Sequence, residues 1–312
     1  MIELIAPLLT ATVAAATPLI LAGLGELVAE RAGVLNIGIE GLMLTGCIAG
    51  FTVAVATGNP WLGLLAAITA AMVLGAGFAA MAINARTDQI VAGMAVNLLA
   101  FGVSGTVWRI LQSRGLTDLP DSAGFSRGWT GSATLEGLPV LGPLLFNQYG
   151  LTVVTLVAAL LLWWVLRRTR LGLVVSALGE APDAVAAAGE SVRRWRWSSV
   201  LFAAGCAGAA GAYLSIMRTH AFVPQMTGGT GFVVLALVMF GRWRVWWLIG
   251  GCLLFGFADS LQQTLQSLPQ ARQIPYQVFQ MLPYLVALGA LALLSRSSPG
   301  PAALGRPWPE SP

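Results

Sequence analysis

Lysine is absent from this chain of 312 residues, and charge of either sign is scarce: 17 arginines, 13 acidic residues and one histidine, with 10% of positions charged. An ordinary soluble domain carries about 25%. A chain so poor in charge cannot cover its surface with groups that water solvates, but it can cover a surface that faces lipid. Without lysine no G-x-x-x-x-G-K-[ST] loop can occur, so the chain does not hydrolyse ATP through such a loop. The three cysteines, Cys47, Cys206 and Cys252, each lie inside an apolar run with neither CxxC nor metal-ligand spacing, and read as small packing residues. His220 has no carboxylate or second histidine nearby and reads as a loop residue. A membrane enzyme would need a clustered nucleophile and base, or a metal set, at one depth. These residues do not supply it, and no metal or cofactor is expected.

What is abundant is apolar surface, at 57% of residues and a mean hydropathy of +0.78. A spanning helix needs about 20 mostly apolar residues. Runs that meet this are Leu4 to Val28, Ile37 to Thr57, Trp61 to Ile83, Ile90 to Leu111, Tyr149 to Leu166, Trp197 to Met217, Val245 to Leu265 and Val278 to Leu294. One further run, Gly231 to Phe240, is short and follows Gly228, Gly229 and Thr230; it predicts a broken helix. The expected fold is all-α and polytopic, with about nine transmembrane helices.

The net charge of +4 and pI of about 9.4 come from arginines in short loops between apolar runs, a matter of membrane topology rather than nucleic-acid binding. If the N-terminus lies outside and every run crosses, Arg31, Arg86, Arg167, Arg168, Arg170, Arg193, Arg194, Arg196, Arg242, Arg244, Arg296 and Arg306 are cytoplasmic, and Arg109, Arg114, Arg127, Arg218 and Arg272 are outside. The positive-inside rule then predicts N-out, C-in. Glu3, with no arginine before the first run, predicts a retained first helix rather than a cleaved secretory leader. The chain reads as one membrane unit over 1–295, with halves of about 1–113 and 149–295, an external loop at 114–148, a cytoplasmic loop at 167–196 and a proline-rich, disordered cytoplasmic tail at 296–312.

A weak internal repeat is visible. Gly33 to Gly46 in one half and Met226 to Gly241 in the other are Gly-interrupted apolar segments, each followed by a Trp (Trp61, Trp243) and another long run. Met94-Ala95-Val96-Asn97-Leu98-Leu99 parallels Met281-Leu282-Pro283-Tyr284-Leu285. With the topology above, one interrupted segment starts inside and the other outside. The halves are expected to be inverted, and paired breaks of this kind point to a transport pathway.

Thr169-Arg170-Leu171-Gly172-Leu173 followed by Ala177-Leu178-Gly179-Glu180-Ala181-Pro182-Asp183-Ala184-Val185-Ala186-Ala187-Ala188-Gly189 resembles the coupling loop of the branched-chain amino acid and simple-sugar type ABC importer permeases. Glu30 to Gly41, Asp88-Gln89-Ile90-Val91-Ala92-Gly93, and Gly229-Thr230-Gly231-Phe232 with Gly241-Arg242-Trp243 are similar to the nucleoside and simple-sugar branch. The resemblance runs from about Leu19 to Leu294. Two departures, Ser176 where the pattern has a basic residue and Glu190 where it has an aliphatic one, bear on fine contacts with the ATPase.

The resemblance implies a permease that moves a nucleoside or simple sugar across the bacterial plasma membrane. It implies three partners: a separate cytoplasmic ATP-binding subunit, a second permease (a paralogue or a copy) and an extracytoplasmic substrate-binding protein. ATP would be bound by the partner subunit. It makes Gly179, Glu180, Pro182, Ala184, Ala186, Ala187 and Gly189 the expected ATPase contact. Local chemistry agrees with a short helix there: Pro182 suits a first helical turn, the alanines favour helix, and Gly189 can close it in the left-handed conformation.

Polar residues at membrane depth are few and usually functional. Asn36, Glu40, Asn97, Thr230, Phe232 and Asp259 are the translocation-pathway candidates, and Glu26, Gln262 and Gln263 add polar capacity. For Glu40 and Asp259 a helix–helix hydrogen bond, worth about 1 kcal/mol, is the competing reading. An ion-coupled secondary transporter is the alternative, although so few acidic residues are thin material for a coupling-ion site.

Overall fold

A computed structural model describes residues 2–120, 125, 148–267, 275–286, 289 and 300–308. Among these residues all regular structure is helical. The helices are α1 (Ile2–Arg31), α2 (Ile39–Thr57), α3 (Pro60–Ala79), α4 (Gln89–Ser113), α5 (Gly150–Arg168), α6 (Arg170–Glu180), α7 (Pro182–Ala187), α8 (Val192–Ala212), α9 (Thr230–Phe240), α10 (Val245–Gln266) and α11 (Tyr276–Gln280). α3 and α8 continue through π-helical turns, Ala80–Asn84 and Tyr213–Arg218. Seven helices, α1 to α5, α8 and α10, are long and apolar enough to cross a membrane. They match seven of the expected runs, and the short run is α9, with 11 residues. Residues 287, 288 and 290–294 of the ninth run lie outside the described residues, as do 121–124 and 126–147 of the expected external loop.

Helix starts follow local chemistry. Asn59 accepts from the N–H groups of Trp61 and Leu62 ahead of α3, with Pro60 in its first turn. Asp88 does the same for Ile90 and Val91 at α4. Each side chain satisfies N–H groups that a helix start leaves without partners.

Contacts order the ends of the bundle. The guanidinium of Arg31 donates to the Trp243 carbonyl (2.8 Å), Arg193 donates to Asn84 (2.8 Å), and Arg196 donates to the Ala32 carbonyl (3.2 Å). These join the ends of α1, α3 and α9 to the starts of α8 and α10. Arg31, Arg86, Arg167, Arg168, Arg170, Arg193, Arg194, Arg196, Arg242, Arg244 and Arg306 therefore share one end. At the other end Gln148 donates to the Thr10 carbonyl (3.0 Å) and Arg218 pairs with Asp259 (3.0 Å). The chain leaves α8 at Arg218 on that far end and returns to Arg242 beside Arg31. The short run thus carries the chain from one end to the other, half of the way without regular helix: at about 1.5 Å per residue α9 covers roughly 16 Å.

Small residues let the central helices approach closely, as in membrane bundles generally. α2 crosses α8 at Gly46, Gly208 and Gly211. A Cβ on Gly208 would meet the Ala67 carbonyl of α3 at 2.5 Å, and one on Gly211 would overlap the Met43 carbonyl of α2.

The tail corrects the expectation of disorder over 296–312 for its described part. Gly300–Trp308 packs on the arginine-rich end: the N–H of Ala303 donates to the Gly179 carbonyl (2.7 Å), and that of Gly305 to the Gly33 carbonyl (3.2 Å). Arg196 donates to the Arg306 carbonyl (2.9 Å). Its two prolines, Pro301 and Pro307, say only that this segment will not be helix; they carry no information about acceptors more than a hundred residues away.

Candidate functional site

Two helix breaks meet inside the bundle. At the first, Gly33 (φ +85°) ends α1 and the chain doubles back, so that the N–H of Asn36 reaches the Glu26 carboxylate (3.2 Å). α2 then begins at depth. The Asn36 side chain accepts from the N–H of Gly38 (3.0 Å), and Asn97 of α4 accepts from that of Gly41 (2.7 Å) while donating to the Ile37 carbonyl (3.0 Å). Gln89 at the start of α4 accepts from the N–H of Leu35 (2.8 Å).

At the second, Gly228 (φ +53°) and Gly229 (φ +85°) adopt the left-handed conformation that opens α9. The side chain that caps α9 comes from the other break. The Glu40 carboxylate accepts from the N–H of Gly229 (2.9 Å) and of Gly231 (2.6 Å). A negative group at a helix N-terminus gains from the dipole and from N–H donors that would otherwise lack partners. Gly231 makes this possible, since a Cβ there would lie 2.7 Å from the Cα of Glu40. α2 and α9 start head to head and run in opposite directions. Asn36, Glu40 and Asn97 are each at most 2% exposed.

A third tie closes the lower side. Arg242 (φ +53°) and Trp243 (φ +54°) build a tight left-handed turn between α9 and α10. It aims the Trp243 indole N–H at the Glu30 carboxylate (2.5 Å). Glu30, Gln89 and Trp243 were legible in the sequence only as letters of three separate motif fragments, 30–41, 88–93 and 229–243. The structure shows that these fragments are one another's partners.

Beside α9 lies a cavity of about 340 Å³ lined by Pro18, Arg218, Thr230, Asp259, Gln262 and Tyr284, among others. Asp259 holds Arg218 and accepts from Gln263 (2.9 Å). The Thr230 hydroxyl bonds to the Thr227 carbonyl. The six pathway candidates therefore separate: Thr230 and Asp259 line the cavity, Asn36, Glu40 and Asn97 form the buried support behind it, and Phe232 stands 42% exposed on another side of α9. Because the Arg218–Asp259 pair is partly exposed, it adds about 0–1 kcal/mol. Asp259→Asn is expected to leave thermal unfolding nearly unchanged, which a melting curve beside wild type would read.

The expected coupling residues lie at the arginine-rich end. α7 starts with Pro182 in its first turn, and Gly189 (φ +84°) closes it. Glu180, Ala184, Ala187 and Gly189 are exposed, and Ala186 is half-buried. Gly179 is buried, and a Cβ on it would overlap the Arg31 carbonyl and lie 3.0 Å from Pro301; it is a packing position rather than a surface contact.

Seven membrane-length helices and two breaks sealed at depth define a polytopic α-helical membrane protein. The chain belongs to the family described as the permease component of the branched-chain amino acid transport system, whose profile matches residues 8–291. It is 40% identical over 269 residues to TsgC13 of Haloferax volcanii, which carries the provisional name of a glucose ABC transporter permease; 85% of this chain and 80% of that protein are covered. It is 32% identical to the guanosine ABC transporter permease protein NupQ of Bacillus subtilis, over 98% of each chain. It is 30% identical to the nucleoside ABC transporter permease protein NupC of Lactococcus lactis, over 93% of this chain and 92% of that one. No solved structure matches the chain. The chain is thus a permease subunit of an ABC transport system, and the ion-coupled carrier is set aside. Its relatives are transport components rather than enzymes.

Proposed function

We propose that this permease imports a nucleoside or simple sugar across the plasma membrane, with its N-terminus outside and its arginine-rich end, including the C-terminal segment, in the cytoplasm. The observation that carries the reading is α7. It is a capped helix with a low alanine face on the arginine-rich end, where the positive-inside rule places cytoplasm. We assign its exposed face, Ala184 and Ala187, together with Glu180 at the end of α6, to a cytoplasmic ATP-binding subunit, which binds the ATP that this chain does not. A second permease, paralogue or copy, completes the channel, and an extracytoplasmic binding protein delivers substrate. ATP-driven closure of the ATPase moves α7 and switches the permeases between outward- and inward-open states. The opposed directions of α2 and α9 support an inverted pair at the pathway.

The cavity suits an uncharged hydroxylated molecule. Thr230, Gln262, Gln280 and the already paired Asp259 offer hydrogen bonds, while Phe255 and Tyr284, edge to face at 6.0 Å, offer ring surfaces. The names of the relatives, guanosine, nucleoside and glucose, fall in the same chemical class.

The test is ATP-dependent uptake of labelled guanosine and of glucose by the reconstituted transporter, with wild-type permease and with Ala187→Arg. One of the two substrates should accumulate with wild type. The variant should insert normally, fail to co-purify with the ATPase and lose about tenfold or more of uptake, since a desolvated charge at an interface core costs a few kcal/mol. Uptake of neither substrate rejects the substrate class. Normal uptake and ATPase stimulation with arginine at position 187 reject the docking helix.

A further inference from the structure

We infer that the C-terminal segment Gly300–Trp308 is a transmission strap: it holds α7 and ties it to the first helix break and to the turn that ends α9, with Trp308 and Arg196 as positioning residues. The inference rests on the reading of α7 as the ATPase dock. On its own α7 is weakly attached. It is six residues long, and only Val185 is buried. A helix held by one side chain would tilt under load rather than pass a displacement inward.

The strap supplies what α7 lacks. The Trp308 indole N–H donates to the Asp183 carboxylate on α7 (2.8 Å). Its ring packs on the cluster formed by Val28, Ala32, Val175, Leu178, Val185 and Val192, which joins α1, α6, α7 and α8. The backbone bond from Ala303 to Gly179 fixes the strap to the end of α6.

The other side of the same strap grips the first break. Gly305 bonds to the Gly33 carbonyl, and Arg196 donates to the carbonyls of Arg306 and Ala32. Arg196 is 2% exposed. Removing a guanidinium from water is costly unless its donors are met; here Nε and Nη1 find acceptors on two irregular segments and join them, while Nη2 is buried without a partner. At the strap's start, a Cβ on Gly300 would lie 2.7 Å from the Trp243 ring, so the strap rests on the turn that ends α9. Three residues beyond Gly33 lies Asn36, and four further Glu40, the cap of α9. The strap therefore touches α7, the first break and the exit of the second helix at once. A chain of contacts is not yet coupling, and energetic evidence is what distinguishes the two.

The experiment uses the complete reconstituted transporter with Trp308→Phe and with a chain lacking residues 300–312. Basal ATP hydrolysis and co-purification of the ATPase should match wild type for both. Stimulation of hydrolysis by the substrate-loaded binding protein, and uptake with it, should fall about threefold for Trp308→Phe and about tenfold for the truncation, in proportion to the bonds removed. Wild-type stimulation in the truncated complex overturns the strap. If the truncated chain does not insert, unchanged stimulation in Trp308→Phe overturns it. A transporter in which Ala187→Arg abolishes docking while every strap variant behaves as wild type rejects the strap and leaves the docking helix standing. Normal behaviour of Ala187→Arg rejects the docking helix itself.

Discussion

Gly211→Val is expected to prevent a stable fold. The added Cβ would overlap the Met43 carbonyl and lie 2.7 Å from the backbone nitrogen of Cys47, so both obstacles are main chain and cannot swing aside as a side chain can. Relief requires α2 and α8 to separate, and that would open the contact of Gly46 with Gly208 as well. Overpacking a core costs about 1–3 kcal/mol when side chains yield, and more when backbones must move. Against a total stability of about 5–15 kcal/mol, the variant should lose most of its folded yield in detergent and unfold at a clearly lower temperature. Gly102→Ala is the matched control. It sits on α4 with nothing within 4 Å of the added methyl and should be neutral or slightly stabilising, since alanine favours helix by about 1 kcal/mol over glycine. Equal melting temperatures for Gly211→Val and wild type would refute the close crossing.

The second large effect belongs to Glu40. Glu40→Ala removes both acceptors at the start of α9 and leaves the N–H groups of Gly229 and Gly231 in apolar surroundings without water to replace them. Hydrogen bonds to a charged group are worth about 1.5–3 kcal/mol each, so the loss should be about 3–5 kcal/mol. Glu40→Gln keeps one acceptor oxygen but turns an N–H donor toward another, and should cost about half as much. Thermal unfolding would show the order wild type, glutamine, alanine. Hydrogen exchange at residues 229–233 would show the release locally, because those amides lose protection first when the cap is gone. If glutamine and alanine variants melt together at the wild-type temperature, the carboxylate does not hold α9.

The sequence was most informative wherever a rule is local. Twenty apolar residues make a span whatever surrounds them, so the seven long helices could be read directly. Gly228 and Gly229 mark a break because a left-handed backbone favours glycine, and Pro182 and Gly189 bracket α7 for equally local reasons. The expectation of a transport pathway at the two Gly-interrupted segments rested on their both being breaks. The structure adds what pattern reading could not supply: Glu40 is the cap of a helix 190 positions away, and Asn97 ties a strandless turn by both atoms of its amide. Partner identity at long range is not encoded in spacing. The tail fails for the same reason. Its composition read as disordered, but order in Gly300–Trp308 comes from acceptors on Gly179 and Gly33, which composition does not reveal. Gly179 was read as part of the surface contact because it sits in the coupling motif; its place beneath the strap became visible only with Pro301 and Arg31 around it.

The irregular stretch between Arg218 and α9 has a mechanical side. Residues 219–229 could reach about 36 Å if drawn out straight, at roughly 3.3 Å per residue. They need to descend only from the far end to the start of α9, about half of a hydrocarbon core of about 30 Å. The connection therefore stores spare contour length, roughly twice what the distance requires. α8 and α9 are joined by slack rather than by a rod. An axial slide of α9 would stretch no peptide link and break none of its internal bonds; it would part the Glu40 joint at one end, the Trp243 turn at the other and the core packing of Val234, Leu235, Leu237 and Val238 between them.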